Sequence, residues 1–379
     1  MIFVAAIPLL IWTYLLFFRG DYWRVSKHLS RVTPRDSSGA RVIAIVPARN
    51  EAAVIAGSVT SLLEQVPEIH VIVVDDGSTD GTYQLARSAA ERIGGANRLT
   101  TIQGRPLPAG WAGKVWAMSQ GVNAAFQFAP DYLLLTDADI AHASGNVQQL
   151  LAIAQSGGFD LVSLMVKLEC RTAAERALIP AFVYFFFQLY PPAWIESSRH
   201  ATAGAAGGCI LIRPEALALS GGFESIRNAV IDDCALAQQV KSNGCRLWLG
   251  LTESAWSMRG YGSFKQVRDM IARTAFNQLR HSGLLLAATL GGILVVYVLP
   301  PVLALTLRGI PAVLGLAAWI LMSISYLPTL LFYRRSPVSV LALPLVALFY
   351  GAATVQSAAR YWRGQGGFWK GRVQDVRPD

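Results

Sequence analysis

Two blocks of the sequence are almost free of charged side chains, and they lie at opposite ends of the chain. Residues 1–18, MIFVAAIPLLIWTYLLFF, contain no charge, and residues 283–357 contain only three arginines. A helix of about 20 apolar residues is long enough to cross the hydrocarbon core of a bilayer. The sequence therefore predicts a chain that is attached to a membrane at both ends, with a soluble domain between the attachments.

The C-terminal block divides into three candidate spans, because arginines and prolines interrupt it. Overall, 53% of the residues are hydrophobic and only 15% are charged, against about 25% in soluble domains. Residues 1–18 are predicted to be a retained anchor, since no positive residue precedes the apolar run and no small-residue cleavage site follows it. The predicted units are an anchor over 1–18, a central domain over 40–282, a membrane domain over 283–358 with spans Leu284–Leu307, Ile310–Tyr333 and Val338–Ser357, and a basic tail over 359–379.

The positive charges lie beside the predicted spans. The net charge is +9, and five basic residues follow the first span: Arg19, Arg24, Lys27, Arg31 and Arg35. By the positive-inside rule this places the central domain in the cytoplasm of a multi-pass protein. No helix-turn-helix, zinc-finger or RNA-recognition motif is present, so no nucleic acid partner is expected. The four cysteines lack CxxC spacing, which favours reduced thiols.

The tail conflicts with three crossings after the central domain. Three crossings would place the tail on the opposite side, yet it carries Arg360, Arg363, Lys370 and Arg372. We therefore predict that one apolar stretch does not cross. Pro300-Pro301 makes Leu284–Leu307 the candidate, as a re-entrant segment buried against protein.

The central domain alternates strand-like and helix-like segments. β-Branched and apolar runs predict strands, and apolar residues at helical spacing predict the helices between them. Such alternation is typical of an α/β fold, Rossmann-like, with a mainly parallel sheet and helices on both faces. The predicted strands are 41–46, 70–76, 99–103, 132–136 and 160–166, and the predicted helices are 51–65, 82–93, 113–128 and 144–155.

Three of the strand ends carry polar chemistry. They read VPARNEA (46–52), VVDDGSTDGT (73–82) and LLLTDADI (133–140). Ligands bind beyond the carboxyl ends of the strands in such sheets. Asp137 and Asp139, two positions apart, are expected on one face of a strand, where burial is costly unless the acids are paired or hold a metal. A solvated turn would explain any one of these ends; three together favour a shared site.

The strand ends do not match the common nucleotide-binding loops. The first turn, PARNEA, lacks the glycines of the dinucleotide fingerprint, and PAGWAGKV (108–115) departs from the phosphate-binding loop at both ends. A pair of acids instead suits Mg²⁺ or Mn²⁺, which take carboxylate oxygens together with the phosphates of a ligand.

Six motifs in order resemble a family 2 glycosyltransferase of the GT-A fold. They are VPARNEA, DDGSTDGT, GWAGKVWAM, LLLTDADI, GGCILIR and IDDCALAQQV. More narrowly, ARTAFNQLRHS (272–282), the flanking spans and GGFWKGR (366–372) resemble the hopene-associated glycosyltransferase family. The resemblance implies an inverting enzyme of the bacterial inner membrane that moves a sugar from a nucleotide donor, UDP-linked, to a lipid hydroxyl, a hopanoid.

The resemblance also implies how individual residues act on the donor. Pro47, Asn50 and Glu51 match the segment that contacts the nucleobase and ribose, and Asp76 matches the aspartate on the nucleobase side. Lys114 matches a basic residue near the donor, where a positive charge suits the diphosphate.

The remaining acids are implied to hold the metal and to activate the acceptor. Asp137 and Asp139 match the metal-binding DxD motif. Asp233 matches the base that deprotonates the acceptor hydroxyl, and Asp232 replaces the usual glutamate before it. Acids at a helix N-terminus would also suit the helix dipole, and the two interpretations are compatible.

One family motif is missing. No Arg-Trp pair of the (Q/R)xxRW type follows the base; Arg273 is the nearest equivalent, with Gln278 and Arg280 close behind. Its absence, with the few spans, argues against a processive polymer synthase.

Residues 176–198, RALIPAFVYFFFQLYPPAWIESS, are apolar and aromatic. A crossing here would put Asp139 and Asp233 on opposite sides of the membrane, so an interfacial helix beside the lipid acceptor is predicted. A plain core helix is the alternative.

Other functions left open are transfer to a ceramide-like lipid or a polyprenyl phosphate, a GT-A-like nucleotidyltransferase, and a catalytically silent protein that binds sugar nucleotides.

Overall fold

The structure, a computed structural model, describes residues 1–25, 39–369 and 372–375. Three of the basic residues after the first apolar helix, Lys27, Arg31 and Arg35, lie outside the described residues, as does Lys370 in the tail. The orientation predicted from their charges therefore stays a prediction.

The central domain is built on one eight-stranded sheet, as the α/β prediction requires. In space the strands follow the order β3-β2-β1-β4-β7-β6-β8-β5. Strands β1 to β4 run parallel, whereas β7 is antiparallel to both β4 and β6, and β5 is antiparallel to β8. The sheet is thus mixed after residue 136. The strands are β1 Val42–Ala48, β2 His70–Asp75, β3 Leu99–Gln103, β4 Tyr132–Thr136, β5 Ile140–His142, β6 Leu161–Lys167, β7 Cys209–Ile212 and β8 Leu247–Ser257.

Helices cover both faces of the sheet, and a two-stranded hairpin follows the last of them. The four helices predicted between the first strands are present; the first three are shorter than predicted, and the fourth begins and ends two residues later. The helices are α1 Ile2–Phe17, α2 Ile55–Leu63, α3 Thr82–Arg92, α4 Gly113–Ala125, α5 Asn146–Gly157, α6 Ala173–Leu189, α7 Pro192–Glu196, α8 Pro214–Leu219, α9 Asp232–Ser242, α10 Phe264–Ala272, α11 Ala275–Gln278, α12 Gly283–Ile293, α13 Leu299–Thr306, α14 Ile310–Phe332 and α15 Leu343–Trp362; the hairpin strands are β9 Gly366–Trp369 and β10 Arg372–Asp375.

The two faces of the sheet are buried in different ways. Alternate residues of β1 point to opposite faces, so Val42 and Ala44 pack on one side and Ile43 and Ile45 on the other. The first side is closed by α2, α3 and α5. The second side continues through α4 and α6 into the membrane helices, where Ala318, Met322 and Tyr326 of α14 belong to the same cluster. One core therefore joins the sheet to the membrane part.

Four helical stretches in the described part of the chain are long and apolar enough to cross a membrane. They are Ala173–Glu196, Gly283–Thr306, Ile310–Phe332 and Pro337–Trp362. The last three match the predicted C-terminal spans, while α1 is shorter, at 16 residues. For the first stretch, Asp139 before it and Asp233 after it line the same cavity. We therefore infer that residues 173–196 do not carry the chain across.

The residues on either side of α15 both contact the central domain. Before it, the Tyr333 hydroxyl accepts a hydrogen bond from the backbone nitrogen of Leu168 at 3.4 Å. In its last turn, Arg360 donates to Asp269 at 2.6 Å, and Gly367, after the helix, lines the same cavity as Asp233. A straight helix of 20 residues is about 30 Å long, so a crossing would separate its ends by the thickness of the bilayer core.

We infer that residues 337–362 lie along the central domain and that 283–306 and 310–332 form the crossing pair. The tail is then on the same side as the central domain, which removes the conflict with its positive charges. That one apolar stretch does not cross stays a prediction, and the contacts of α15 favour residues 337–362 for it over Leu284–Leu307.

The double proline does not break the helical stretch 283–306. A π-helical turn, Leu294–Val298, connects α12 to α13. Prolines have no N–H, so Pro300 and Pro301 leave the carbonyl of Val296 without a donor from its own helix. The indole nitrogen of Trp12, a fully buried residue of α1, donates to that carbonyl at 2.7 Å. The N-terminal helix thus supplies the hydrogen bond that the prolines remove.

A labelling experiment tests the inferred sidedness. The background is a variant whose four natural cysteines are replaced by serine. Single cysteines are then introduced at three exposed positions: Gln365→Cys in the tail, Ser88→Cys in the central domain and Arg308→Cys between the crossing helices. A membrane-impermeant thiol reagent should label the first two from the same side and the third from the other. Labelling of Gln365→Cys together with Arg308→Cys would contradict the inference.

Trp12→Phe should destabilise the membrane part by about 1–3 kcal/mol, because a buried carbonyl loses its donor. Trp319→Phe on α14 is the matched control, since its buried indole nitrogen has no hydrogen-bond partner among the described residues. Thermal unfolding of both variants in the same detergent gives the comparison. Equal destabilisation by the two substitutions would show that ring packing, and not the hydrogen bond, is what matters.

Candidate active site

A cavity of about 430 Å³ lies beyond the carboxyl ends of β1 and β4, where α/β sheets bind ligands. Eight of the ten predicted site residues line it, and Asn50 and Asp76 do not. The eight are Pro47, Glu51, Lys114, Asp137, Asp139, Asp232, Asp233 and Arg273.

Asp137 and Asp139 lie in a tight turn and not on a strand. Strand β4 ends at Thr136, the backbone nitrogen of Ile140 donates to the carbonyl of Asp137 at 3.1 Å, and β5 begins at Ile140. The backbone nitrogen of Met258, just after β8, donates to the carbonyl of Asp139 at 2.8 Å. Both acids do line one cavity, but the argument from strand alternation is wrong, because the turn and its bond to Met258 bring them together.

A buried chain of hydrogen bonds holds this turn against the glycine segment beside it. The Thr136 hydroxyl donates to the carbonyl of Gly208 at 2.7 Å and accepts from Nε2 of His142 at 3.0 Å. Nδ1 of His142 in turn accepts from the Asn146 amide at 3.0 Å. Burial lowers the pKa of His142 to about 4, so the ring is neutral, as these bonds require. A lone histidine after a strand gave no sequence signal for this position.

Lys114, at the start of α4, pairs with acids from two different elements. Its Nζ lies 2.8 Å from Oδ1 of Asp137 and 3.2 Å from Oδ2 of Asp232. Burial by itself lowers the pKa of Lys114, but the negative charges of Asp137, Asp232 and Asp233 outweigh it and raise the pKa, so the side chain stays charged. The lysine thus joins the β4 turn to α9.

Arg259 is a site residue that the sequence motifs did not indicate. It follows β8, and its Nε donates to Oδ2 of Asp139 at 3.0 Å while its terminal nitrogen pairs with Glu51. It lines the cavity with these two acids. No signal marks Arg259 in the sequence, because it stands 120 and 208 residues away from its partners.

Asp233 has the environment of a base. Helix α9 begins at Asp232, so both acids are in its first turn. Asp233 accepts from the backbone nitrogens of Gly207 and Cys234, each at 2.7 Å. Burial and then the charge of Asp232 raise the pKa of Asp233 to about 6, and Lys114 limits the rise. It is therefore charged at neutral pH and more basic than an ordinary aspartate.

Gly207 is a glycine because of this base. A Cβ there would lie 3.1 Å from Oδ2 of Asp233 and 3.4 Å from Nζ of Lys114. At Gly208 a Cβ would lie 3.0 Å from Val166. Gly207 therefore leaves room for the charged side chains of Asp233 and Lys114, and Gly208 leaves room for Val166.

Asn50 is held against the loop that follows β2. Its φ is +51°, its backbone nitrogen donates to the Ser78 hydroxyl at 2.9 Å, and its side-chain oxygen accepts from the backbone nitrogen of Thr79 at 2.9 Å. Asp76, which is buried, lies 3.5 Å from Arg49. These bonds give both residues a structural function, and their contact with the donor stays a prediction.

Among the basic residues proposed for the missing motif, Arg273 is the one that lines the cavity. It caps the end of α10. Gln278 instead donates to the Tyr190 hydroxyl at 2.7 Å, and neither it nor Arg280 is among the residues that line the cavity.

Comparison with known proteins identifies the family of the matched domain and its fold. Residues 43–217 match the family model "Glycosyl transferase family 2". The chain contains a family 2 glycosyltransferase domain. The mannosyltransferase from Pyrobaculum calidifontis, solved in complex with GDP-Man and Mn²⁺, shares the fold, with a TM-score of 0.51 at 19% identity over 94% of this chain and 98% of that one. The GT-A fold predicted from the motifs is confirmed.

A curated relative is the 4,4'-diaponeurosporenoate glycosyltransferase of Staphylococcus aureus, for example in strains USA300 and NCTC 8325. It is 34% identical over 96 residues, which make up 25% of this chain. The chain spans about a quarter, 23%, of the length of this relative.

The glycosyltransferase domain offers a divalent cation two carboxylates. Within residues 1–25, 39–369 and 372–375, no group of three or more acid, histidine or cysteine side chains could hold a metal. Mg²⁺ and Mn²⁺ are commonly held by one or two carboxylates together with phosphate oxygens of a ligand. Asp137 and Asp139 fit this requirement, since Lys114 and Arg259 each engage one oxygen of a carboxylate that has two.

Proposed function

We propose that this protein is a membrane-bound, inverting glycosyltransferase that transfers a sugar from a nucleotide donor to the hydroxyl of a neutral lipid. The observation that carries the proposal is a single cavity with two unlike walls. One wall carries the acids of the glycosyltransferase domain, and the other is apolar and belongs to the helices that join the membrane part.

The apolar wall comes from β6, α6 and α10. Phe182 and Phe186 of α6 and Met270 of α10 line it, with Met165 and Leu168 beside them. Apolar clefts with few convergent polar groups suit lipid-like ligands.

Helix α6 also packs on α14, one helix of the inferred crossing pair, and on α15. Tyr184 shares a hydrogen bond with Ser325 of α14 at 2.7 Å, and the Tyr350 hydroxyl of α15 donates to the carbonyl of Leu178 at 2.9 Å. A lipid acceptor held beside α6 would bring its head group to Asp233 while its tail stays among the membrane helices. This arrangement supports the predicted interfacial position of residues 176–198.

The charges of the cavity favour a neutral acceptor. Five carboxylates and three cationic side chains line it, an excess of two negative charges. One divalent cation balances that excess, and the donor diphosphate then adds negative charge again. A phosphate or carboxylate acceptor would bring further like charge into a partly buried site, which costs free energy.

In the proposed reaction Asp233 accepts the proton of the acceptor hydroxyl as that oxygen attacks the anomeric carbon. A base, in place of a covalent nucleophile, implies a single displacement and therefore inversion. Asp232 raises the proton affinity of Asp233, and Lys114 keeps it charged at neutral pH. A divalent cation on Asp137 and Asp139 would stabilise the charge on the departing diphosphate. Pro47, Asn50, Glu51 and Asp76 are proposed to hold the nucleoside, and Arg273 the diphosphate.

The sequence resemblance makes a hopanoid polyol the first acceptor to test and a UDP-sugar the first donor. We further propose that the enzyme lies in the bacterial inner membrane, as the resemblance implies, with the domain in the cytoplasm, as the positive-inside rule predicts. A charged acceptor is the alternative to test, because 4,4'-diaponeurosporenoate, in the name of the relative, denotes a carboxylate.

The full chain, purified in detergent, is incubated with Mg²⁺ and UDP- or GDP-sugars and with three acceptors: a hopanoid polyol, a polyprenyl phosphate and a long-chain carboxylate. Mass spectrometry should show a glycosylated polyol and a released nucleoside diphosphate, neither of which forms with the Asp137→Ala/Asp139→Ala variant. Glycosylation of only the phosphate or the carboxylate would refute the neutral acceptor, and release of pyrophosphate would instead identify a nucleotidyltransferase.

Asp233→Asn should lower turnover by at least about 10²-fold, because an amide of the same shape cannot accept the proton. In the parent, kcat/KM should fall as pH decreases through about 6, where Asp233 becomes protonated.

Asp232→Asn is the matched control. Without the charge of Asp232 the proton affinity of Asp233 drops, so the fall in kcat/KM should move to lower pH, with a smaller loss of turnover than in Asp233→Asn. Donor affinity, measured separately, should survive in both variants. If Asp232→Asn is inactive while Asp233→Asn turns over near the parent rate, the base is Asp232.

A further inference from the structure

Arg259 ties two acids of the donor side to each other. One is Asp139 of the β4 turn and the other is Glu51 after β1. The two acids come from separate loops, and both face the cavity. A guanidinium presents its N–H groups as a planar fork, so it can bind two carboxylates at once, which a lysine cannot do in the same way.

The segment that carries Arg259 is anchored on the start of α6. The backbone nitrogen of Tyr261 is bonded to the carboxylate of Glu175, and the Thr172 hydroxyl donates to the carbonyl of Tyr261 at 2.9 Å. Glu175 also accepts from the backbone nitrogens of Arg171 and Thr172, each at 2.8 Å. These bonds set where Arg259 projects.

We propose that Arg259 is a positioning residue that competes with the divalent cation for Asp139, so that the metal binds tightly only together with the nucleotide diphosphate. This rests on the proposed function only in taking Asp137 and Asp139 as the metal ligands. Before the donor arrives, Arg259 neutralises Asp139 and Glu51 and keeps the two loops together. The donor then supplies phosphate oxygens for the metal and a second anionic partner for the arginine.

The electrostatic reasoning gives the sign and size of the effect. A positive charge within hydrogen-bond distance of a carboxylate favours the charged acid but repels a second cation at the same oxygens. Charges at 4–6 Å commonly shift proton equilibria by about 1–3 pKa units, and a divalent cation responds to the same field. Removal of the arginine charge should therefore raise the affinity for metal alone by about tenfold or more.

The test measures Mn²⁺ binding by electron paramagnetic resonance, without donor and then with the nucleoside diphosphate UDP. Arg259→Gln should bind Mn²⁺ alone about tenfold more tightly than the parent, and UDP should enhance its Mn²⁺ affinity by a smaller factor. By linkage, Mn²⁺ should also enhance UDP affinity less in this variant. Arg259→Lys keeps the charge but replaces the planar fork of N–H groups with a single ammonium, so it should show an intermediate gain. It also serves if the glutamine variant does not fold.

The matched control is Arg227→Gln. Arg227 forms an exposed ion pair with Glu224 at 2.9 Å and is not among the residues that line the cavity, so Mn²⁺ affinity should equal that of the parent. Unchanged or weaker Mn²⁺ binding in Arg259→Gln, or no detectable binding in either protein, would overturn the proposal. Failure of the glycosyl transfer assay would leave the Mn²⁺ result intact, so the two proposals fail separately.

Discussion

Five carboxylates around one cavity would repel one another, and the structure depends on two cations that pair with four of them. Lys114 bridges Asp137 and Asp232, and Arg259 bridges Asp139 and Glu51. Each cation joins acids from different parts of the chain, so the β1 loop, the β4 turn, α9 and the segment after β8 converge at one place. Partly buried charges are stable only when they are paired. Pairing both assembles the site and leaves carboxylate oxygens for a metal.

The pairing also separates the chemical properties of neighbouring acids. Asp232 bonds directly to Lys114, whereas Asp233 accepts two backbone N–H bonds and is buried beside the charge of Asp232. The result is one aspartate held as a counterion and one with a raised pKa. A buried acid with a raised pKa, such as Asp233, is typical of sites that transfer protons.

The membrane part is connected to this site through shared packing and not through a flexible linker. One face of the sheet and the membrane helices form a continuous core, and α6 belongs to both. The bonds from Glu175 and Thr172 at the start of α6 fix the segment that carries Arg259, while Phe182 and Phe186 further along α6 line the apolar wall. The same helix therefore borders both the proposed acceptor space and the acids of the donor side.

The sequence by itself determined the apolar ends, the α/β alternation up to residue 167 and eight of the residues that line the cavity, because these signals are local runs, periods and motifs. Only the tertiary structure decided the rest. Arg259 and His142 act through contacts that no local pattern records, and the DxD acids meet through a turn and not through strand alternation. By length and hydropathy alone, Pro337–Trp362 could cross a membrane. The contacts of Tyr333 and Arg360, in contrast, hold the two ends of this stretch against the central domain. Length and composition are properties of a single segment, whereas sidedness and charge pairing depend on the contacts that the segment makes with distant parts of the chain.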